Sequence, residues 1–218
     1  MSSWALVPVK ARTAGKARLS SVLDASARAA LVTTMLDHVL DALRDCAGLA
    51  GIAVMTPEPN MLPADVLWLR DSTDDVNQSL RAALGILSAR GARHATVVSA
   101  DLPLLAADEV AALIHASQAS GVALAPDRHG GGTNAIALAL PSAFCSHFGR
   151  GSFALHLAEA AALGVTAATV HLRGLEFDVD EPEDLALLAR RNAGRYALPS
   201  LGCAAAAMRG RAGVDTDR

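Results

Sequence analysis

The chain has 218 residues, 52% of them hydrophobic but only 3% aromatic, and a formal net charge of −3. That length supports one sizeable α/β domain, and the scarcity of aromatics implies an Ala, Leu and Val core suited to helices packed on a sheet rather than to a β-sandwich. The mildly acidic balance excludes a globally basic surface for nucleic acid or an acidic membrane, and no run approaches the ~20 apolar residues of a membrane helix.

Trp4 to Val9 reads as a first strand, followed by a loop through Leu23 that carries Lys10, Arg12, Lys16 and Arg18 within nine residues. Asp24 to Cys46 has helical spacing, with Asp24 as N-cap and Gly48 just past the end. Gly51 to Met55 is a second strand and Val66 to Leu69 a short third. Asp74 to Arg90 is helical and closes near Gly91, and Ala95 to Ser99 is the fourth strand. A helix over Ala107 to Ser117 leads to a fifth strand, Val122 to Ala125, and Asn134 to Leu140 returns as another. Ser152 to Leu163 is helical, Thr166 to Leu172 a strand, and Glu183 to Arg191 a last helix after Pro182. This alternation implies βαβ units and a mainly parallel, doubly wound sheet. With no internal repeat or linker, residues 1–195 are expected to form one domain. Residues 196–218, rich in Ala, Gly and Arg without an apolar face, are expected to be a loose tail.

Five segments carry chemistry. The strand ending at Ser99 delivers Asp101 at its carboxyl end, where α/β sheets bind ligands. Asp101 there is suited either to a metal ion or to capping the next helix. The basic first loop contains Gly15 and two lysines, a setting for phosphate, although it matches neither a Walker A loop nor a dinucleotide fingerprint. In Asp178-Val-Asp180, residues two apart on extended chain face one side, and paired carboxylates of this kind suit Mg²⁺. The competing reading has Asp180 or its neighbours capping the helix near Pro182, a role that Glu183 and Asp184 also favour. Finally, Gly130-Gly-Gly132-Thr133-Asn134 and Gly149-Arg-Gly151-Ser152 are turns whose backbone can approach an anion closely. Asn77 suits either a base edge or a first-turn polar position. The histidines, His156 among them, read as structural. Cys46, Cys145 and Cys203 have no metal-binding spacing, and with too short an apolar start for a signal peptide the expected compartment is the reducing cytoplasm.

These pieces form a set. Val7-Pro-Val-Lys10 with Lys16-Ala-Arg-Leu-Ser20, Ala100-Asp-Leu-Pro-Leu104, Ala125-Pro-Asp127, Gly131-Gly-Thr-Asn134, Phe148-Gly-x-Gly-Ser-Phe153 and Asp178-Val-Asp-x-Pro-Glu-Asp-Leu185 occur in order across residues 4–190. Together they resemble the guanylyltransferases of coenzyme F420 biosynthesis, which take 2-phospho-L-lactate or phosphoenolpyruvate and are related to the molybdenum-cofactor guanylyltransferase. The resemblance implies a three-layer α/β/α fold of the nucleotide-diphospho-sugar-transferase, Rossmann-like type. It implies attack of a phosphorylated acid on the α-phosphorus of GTP, with Lys10, Lys16 and Asp101 as catalytic residues. Mg²⁺ would be held by Asp101, Asp178 and Asp180. The nucleotide would meet Pro8, Lys10, Lys16, Arg18, Asn77 and Asp101, and the acceptor would meet Thr133, Gly149 and Ser152. The acceptor stays open among phosphoenolpyruvate, 2-phospho-L-lactate and 3-phosphoglycerate. The alternatives are a related nucleotidyltransferase with a molybdopterin or sugar-phosphate acceptor, or a nucleotide-binding module without catalysis. No nucleic-acid or membrane partner is expected, and oligomeric state is open, a homodimer included.

Overall fold

The computed structural model describes residues 2–10, 16–71, 73–191 and Tyr196. The expected tail beyond Tyr196 and residues 11–15 of the first loop lie outside the described residues. Seven strands form one sheet among the described residues: β1 (Ser3–Pro8), β2 (Leu49–Thr56), β3 (Leu67–Arg70), β4 (His94–Val98), β5 (Val122–Pro126), β6 (Thr133–Ala139) and β7 (Ala168–Thr169). Their order is β3-β2-β1-β4-β6-β5-β7, parallel throughout except that β6 runs antiparallel to both β4 and β5. From β1 the chain moves first toward β2 and β3, then crosses back to place β4 on the other side. The carboxyl ends of β1 and β4 therefore flank the point where the winding reverses, where such sheets open a crevice.

Helices α1 (Ala25–Arg44), α2 (Val76–Ala89), α3 (Ala107–Ser120), α4 (Ser152–Ala162), α5 (Arg173–Glu176) and α6 (Pro182–Arg191) connect and flank the strands. The sheet separates two cores, and the two-residue side-chain period divides each strand between them. Ala5 and Val7 of β1, Ala123 and Ala125 of β5, and Ala135 and Ala137 of β6 face α1 and α3. Leu6, Leu124, Ile136 and Leu138 face α2 and α4. Small residues on the first face let the helices approach the sheet closely, which is how a core with so few aromatics stays packed.

A third cluster lies beneath the carboxyl ends of the strands. Leu19, Leu31, Phe177, Val179 and Leu188 are buried together. Leu19 belongs to a 3-10 turn, Ala17–Ser21, in the segment expected to be loop. This cluster fastens the turn after Lys16 against residues 177–188, segments distant in sequence.

Asp24 caps α1 as expected, accepting from Ala27 N–H at 2.8 Å. Asp75 caps α2 through Asn77 N–H at 2.9 Å. The strand expected over 166–172 reduces to Ala168–Thr169, paired with Ala123 and Leu124 of β5. The chain then turns into α5, a turn that the sequence pattern did not reveal. Glu109 explains it: its carboxylate accepts from Ala106 N–H (3.1 Å) at the start of α3 and from Gly174 N–H (2.8 Å) in α5. A Cβ at position 174 would run into that carboxylate and the Leu104 carbonyl.

Leu19 is fully buried, and Leu19→Ala is expected to cost roughly 2–4 kcal/mol. Urea unfolding followed by circular dichroism checks this; a loss below about 1 kcal/mol would show that the third cluster repacks without strain.

Candidate active site

Three cavities meet at the carboxyl ends of β1 and β4. One of about 280 Å³ is lined by Pro8, Lys10, Lys16, Ser99, Asp101 and Asp180. A second of about 460 Å³ extends toward the start of α2, past Asp71, Thr73 and Val76. The third, about 840 Å³, lies toward α4 between Asp101, Thr133, Gly149, Ser152, Asp178 and Asp180. Ser99, the residue just after β4, borders all three. Nothing in the sequence singled it out, since its place follows from the sheet order alone.

Lys16 is the electrostatic centre. Its side chain is 9% exposed, and its ammonium donates to Asp101 and, at 2.7 Å, to Asp180. Burial opposes its charge, but the two carboxylates outweigh that and raise its pKa above the usual lysine value. Its backbone is left-handed, with φ 56° and ψ 40°, a conformation that costs a non-glycine residue energy. The third cluster holds the chain in that turn.

The acids sit as their spacing requires. Phe177 and Val179 are buried in the third cluster, while the intervening Asp178 and the following Asp180 line the large cavity. Burial, then repulsion from Asp101 and Asp180, pushes the Asp178 carboxyl up to about 6. Asp101 does not cap the next helix: α3 begins after Ala106, and Asp101 turns to Lys16. Nor does Asp180 cap α6 with its side chain. Asp184 does that work, accepting from the Asp180 and Glu181 N–H groups at 2.9 and 2.8 Å while pairing with Arg128.

The donor set fits a hard divalent cation. Asp101 Oδ1 is buried with no hydrogen-bond partner among the described residues, and the neighbouring acids supply oxygen ligands only. Among the described residues no group of three His, Cys, Asp or Glu side chains is arranged to hold a metal ion unaided.

The remaining expected residues divide. Pro8 and Lys10 border both of the smaller cavities. Arg18 borders the large one, mostly exposed and only 3.5 Å from exposed Glu181, a pair of little consequence for stability. Gly149, Gly151 and Ser152 form the turn into α4, and Gly149 (φ 140°) and Gly151 (φ 71°) adopt backbone angles that side chains disfavour. The Gly130–Gly132 turn closes on an internal anion, since Asp127 accepts from His129, Gly131 and Gly132 N–H groups. Asn77, by contrast, spends its amide on the Phe148 backbone.

His156, a fully buried residue of α4, organises the side of the cleft toward α4. Its Nε2 accepts from His147 N–H at 2.7 Å, which leaves the ring proton on Nδ1 to be donated to Thr133 Oγ1 at 2.9 Å. Thr133 therefore keeps its own hydroxyl proton for a partner in the cavity it borders. The signal for His156 was its position four residues after Ser152, on the same helix face.

The family model described as Guanylyl transferase CofC like matches residues 3–202. The chain belongs to that family. A phosphoenolpyruvate guanylyltransferase of Sphaerobacter thermophilus is 39% identical over 193 residues, covering 87% of this chain and 93% of that protein. A 2-phospho-L-lactate guanylyltransferase of Methanosarcina barkeri is 32% identical over 194 residues, covering 87% and 88%. Among solved structures, a protein of Desulfovibrio desulfuricans G20 assigned to the nucleotide-diphospho-sugar transferases superposes with a TM-score of 0.75 at 17% identity, covering 94% of this chain and 97% of its own. That likeness establishes the guanylyltransferase's three-layer α/β/α fold. Among the described residues no helix is long and apolar enough to cross a membrane.

Burial, with the charge of His147, lowers the His156 pKa to about 4. Its unfolded value is near 6.5, so the unfolded chain binds the extra proton between those pH values. The stability this residue contributes is complete above about pH 6.5 and is lost as pH falls toward 4. Allowing for solvent screening, the loss is about 2 kcal/mol. Urea denaturation of wild type and His156→Gln from pH 7.5 to 4 checks it; the variant should show a shallower decline, and parallel curves would refute the assignment.

Proposed function

We propose that this guanylyltransferase moves GMP from GTP to the phosphate of a small phosphorylated carboxylic acid, in coenzyme F420 biosynthesis. Phosphoenolpyruvate, 2-phospho-L-lactate and 3-phosphoglycerate are the candidate acceptors. The observation that carries this reading is the junction of three cavities at Ser99, with Lys16 and the acids at its centre. The cavity toward α2 has room for the base and ribose, the smallest for the triphosphate, and the one toward α4 for the acceptor. The names of the two relatives, one for each acid, support the acceptor class.

In the reaction, an oxygen of the acceptor phosphate forms a bond to the α-phosphorus of GTP. The bond from that phosphorus to the bridging oxygen breaks, and pyrophosphate leaves with the electron pair. Phosphate monoesters lose their second proton near pH 6, so the nucleophile is already ionised and no strong base is needed. The burden falls on positioning two polyanions against each other. Lys10 and Lys16 meet the triphosphate, and Arg18 borders the route by which the acceptor arrives. Thr133 donates its hydroxyl proton to the acceptor, and the free N–H groups at the start of α4, near Ser152, receive its negative oxygens. Asp101, Asp178 and Asp180 would hold Mg²⁺, which when bound neutralises the triphosphate and polarises the α-phosphorus. Both substrates are soluble metabolites, which suits a cytoplasmic enzyme.

Incubation with GTP, Mg²⁺ and each acid separately, read by mass spectrometry, should give pyrophosphate and one guanylylated product. Turnover with a sugar phosphate alone would overturn the reading. Asp101→Asn should lower kcat by about 100-fold or more while retaining the wild-type circular dichroism spectrum. Unchanged turnover would remove Asp101 from the chemistry.

A further inference from the structure

The wall between the two larger cavities is Cys145–Gly149, a stretch without regular structure. Phe148 and Gly149 border both cavities, and they lead directly into Arg150, Gly151 and Ser152, which border the larger cavity but not the one toward α2. No strand pairs with this stretch among the described residues. Its backbone is held instead by side chains from two helices. Glu159 and His156 of α4 accept from Cys145 N–H (3.1 Å) and His147 N–H (2.7 Å). Asn77 of α2 does more: its Oδ1 accepts from Phe148 N–H at 2.7 Å and its Nδ2 donates to the Phe148 carbonyl at 3.1 Å. One amide side chain thus satisfies both polar groups of a residue 71 positions away. The Phe148 ring completes the attachment edge-on against His156, with centroids 5.1 Å apart.

An amide that reads a base must offer its oxygen and nitrogen to that base. Asn77 has committed both to the wall. The cavity on the nucleotide side is bordered by Asp71, Thr73, Asp74 and Val76 from this region, but not by Asn77. We propose that Asn77 is a positioning residue for the acceptor: from the nucleotide-side helix it fixes the Phe148–Gly149 wall, and it does not select the base. The proposal rests on the assignment of the two cavities to nucleotide and acceptor. It makes the shape of the acceptor cavity depend on a helix that does not border it.

The test uses the full chain and whichever of the three acids the wild type guanylylates. Asn77→Ala removes both hydrogen bonds and should raise the acceptor KM roughly tenfold. The KM for GTP should stay within about twofold, and the preference for GTP over ATP should be unchanged. Asn77→Asp keeps an oxygen for Phe148 N–H but loses the donor to its carbonyl, so its acceptor KM should lie between the two. A double variant with His156→Gln should be non-additive, since both side chains hold the same stretch. Hydrogen exchange of the substrate-free protein supplies a second readout: peptides over 145–149 should exchange about tenfold faster in Asn77→Ala, with the α2 amides unaffected. Loss of GTP preference at unchanged acceptor KM would overturn the proposal and return Asn77 to the base. Unaltered exchange over 145–149 would overturn it as well. If the wild type guanylylates none of the acids, the cavity assignment fails, while the exchange comparison still decides whether Asn77 holds the wall.

Discussion

The site depends on one ammonium group standing between carboxylates that would otherwise repel each other. Asp101 comes from the end of β4 and Asp180 from the approach to α6, and Lys16 binds both. Burial, and then repulsion from Asp101 and Asp180, raises the pKa of Asp178 beside them. Such a gathering of like charges is costly in a folded protein unless something offsets it. Lys16 offsets it at the cost of a left-handed backbone, and the apolar cluster of Leu19, Phe177 and Val179 holds that conformation. Packing, strain and charge are therefore one device here, and removing any part loosens the others.

The wall between the two larger cavities is built differently. Where Asp101 and Ser99 follow a strand of the sheet, Cys145–Gly149 rests on side chains reaching from α2 and α4. Backbone hydrogen bonds within a sheet are shared by many residues, whereas these belong to Asn77, His156 and Glu159 individually. The shape of this wall, which borders both larger cavities, is therefore set by few contacts.

Much of this was legible in the sequence, for identifiable reasons. The elements followed from apolar periodicity and from caps such as Asp24. The outward pairing of Asp178 and Asp180 followed from the two-residue period of extended chain around buried Val179. Local patterns do not report long-range pairings, and there the reading stopped. Nothing near Asn77 shows that its amide meets Phe148, and nothing near Glu109 shows that it shapes α5. The antiparallel course of β6 was also hidden, because a strand buried on both faces looks the same in either direction. Asp101 had two readings of equal local merit, and only the start of α3 beyond Ala106 separated them.

That reversed strand has a consequence of its own. Because β6 runs against its neighbours, its beginning, Thr133 and Asn134, reaches the cleft beside the end of β4. The turn over 127–132 that feeds it therefore borders the large cavity, while Lys10 after β1 and Asp71, Thr73 and Asp74 after β3 border the cavity toward α2. Under the cavity assignment proposed above, lengthening or recomposing that one turn reshapes the second substrate's berth without altering the parallel strands on the other side of β4. Under that assignment the sheet order places one face of the acceptor's berth on a different turn from the residues that meet the nucleotide, with the Phe148–Gly149 wall shared between them.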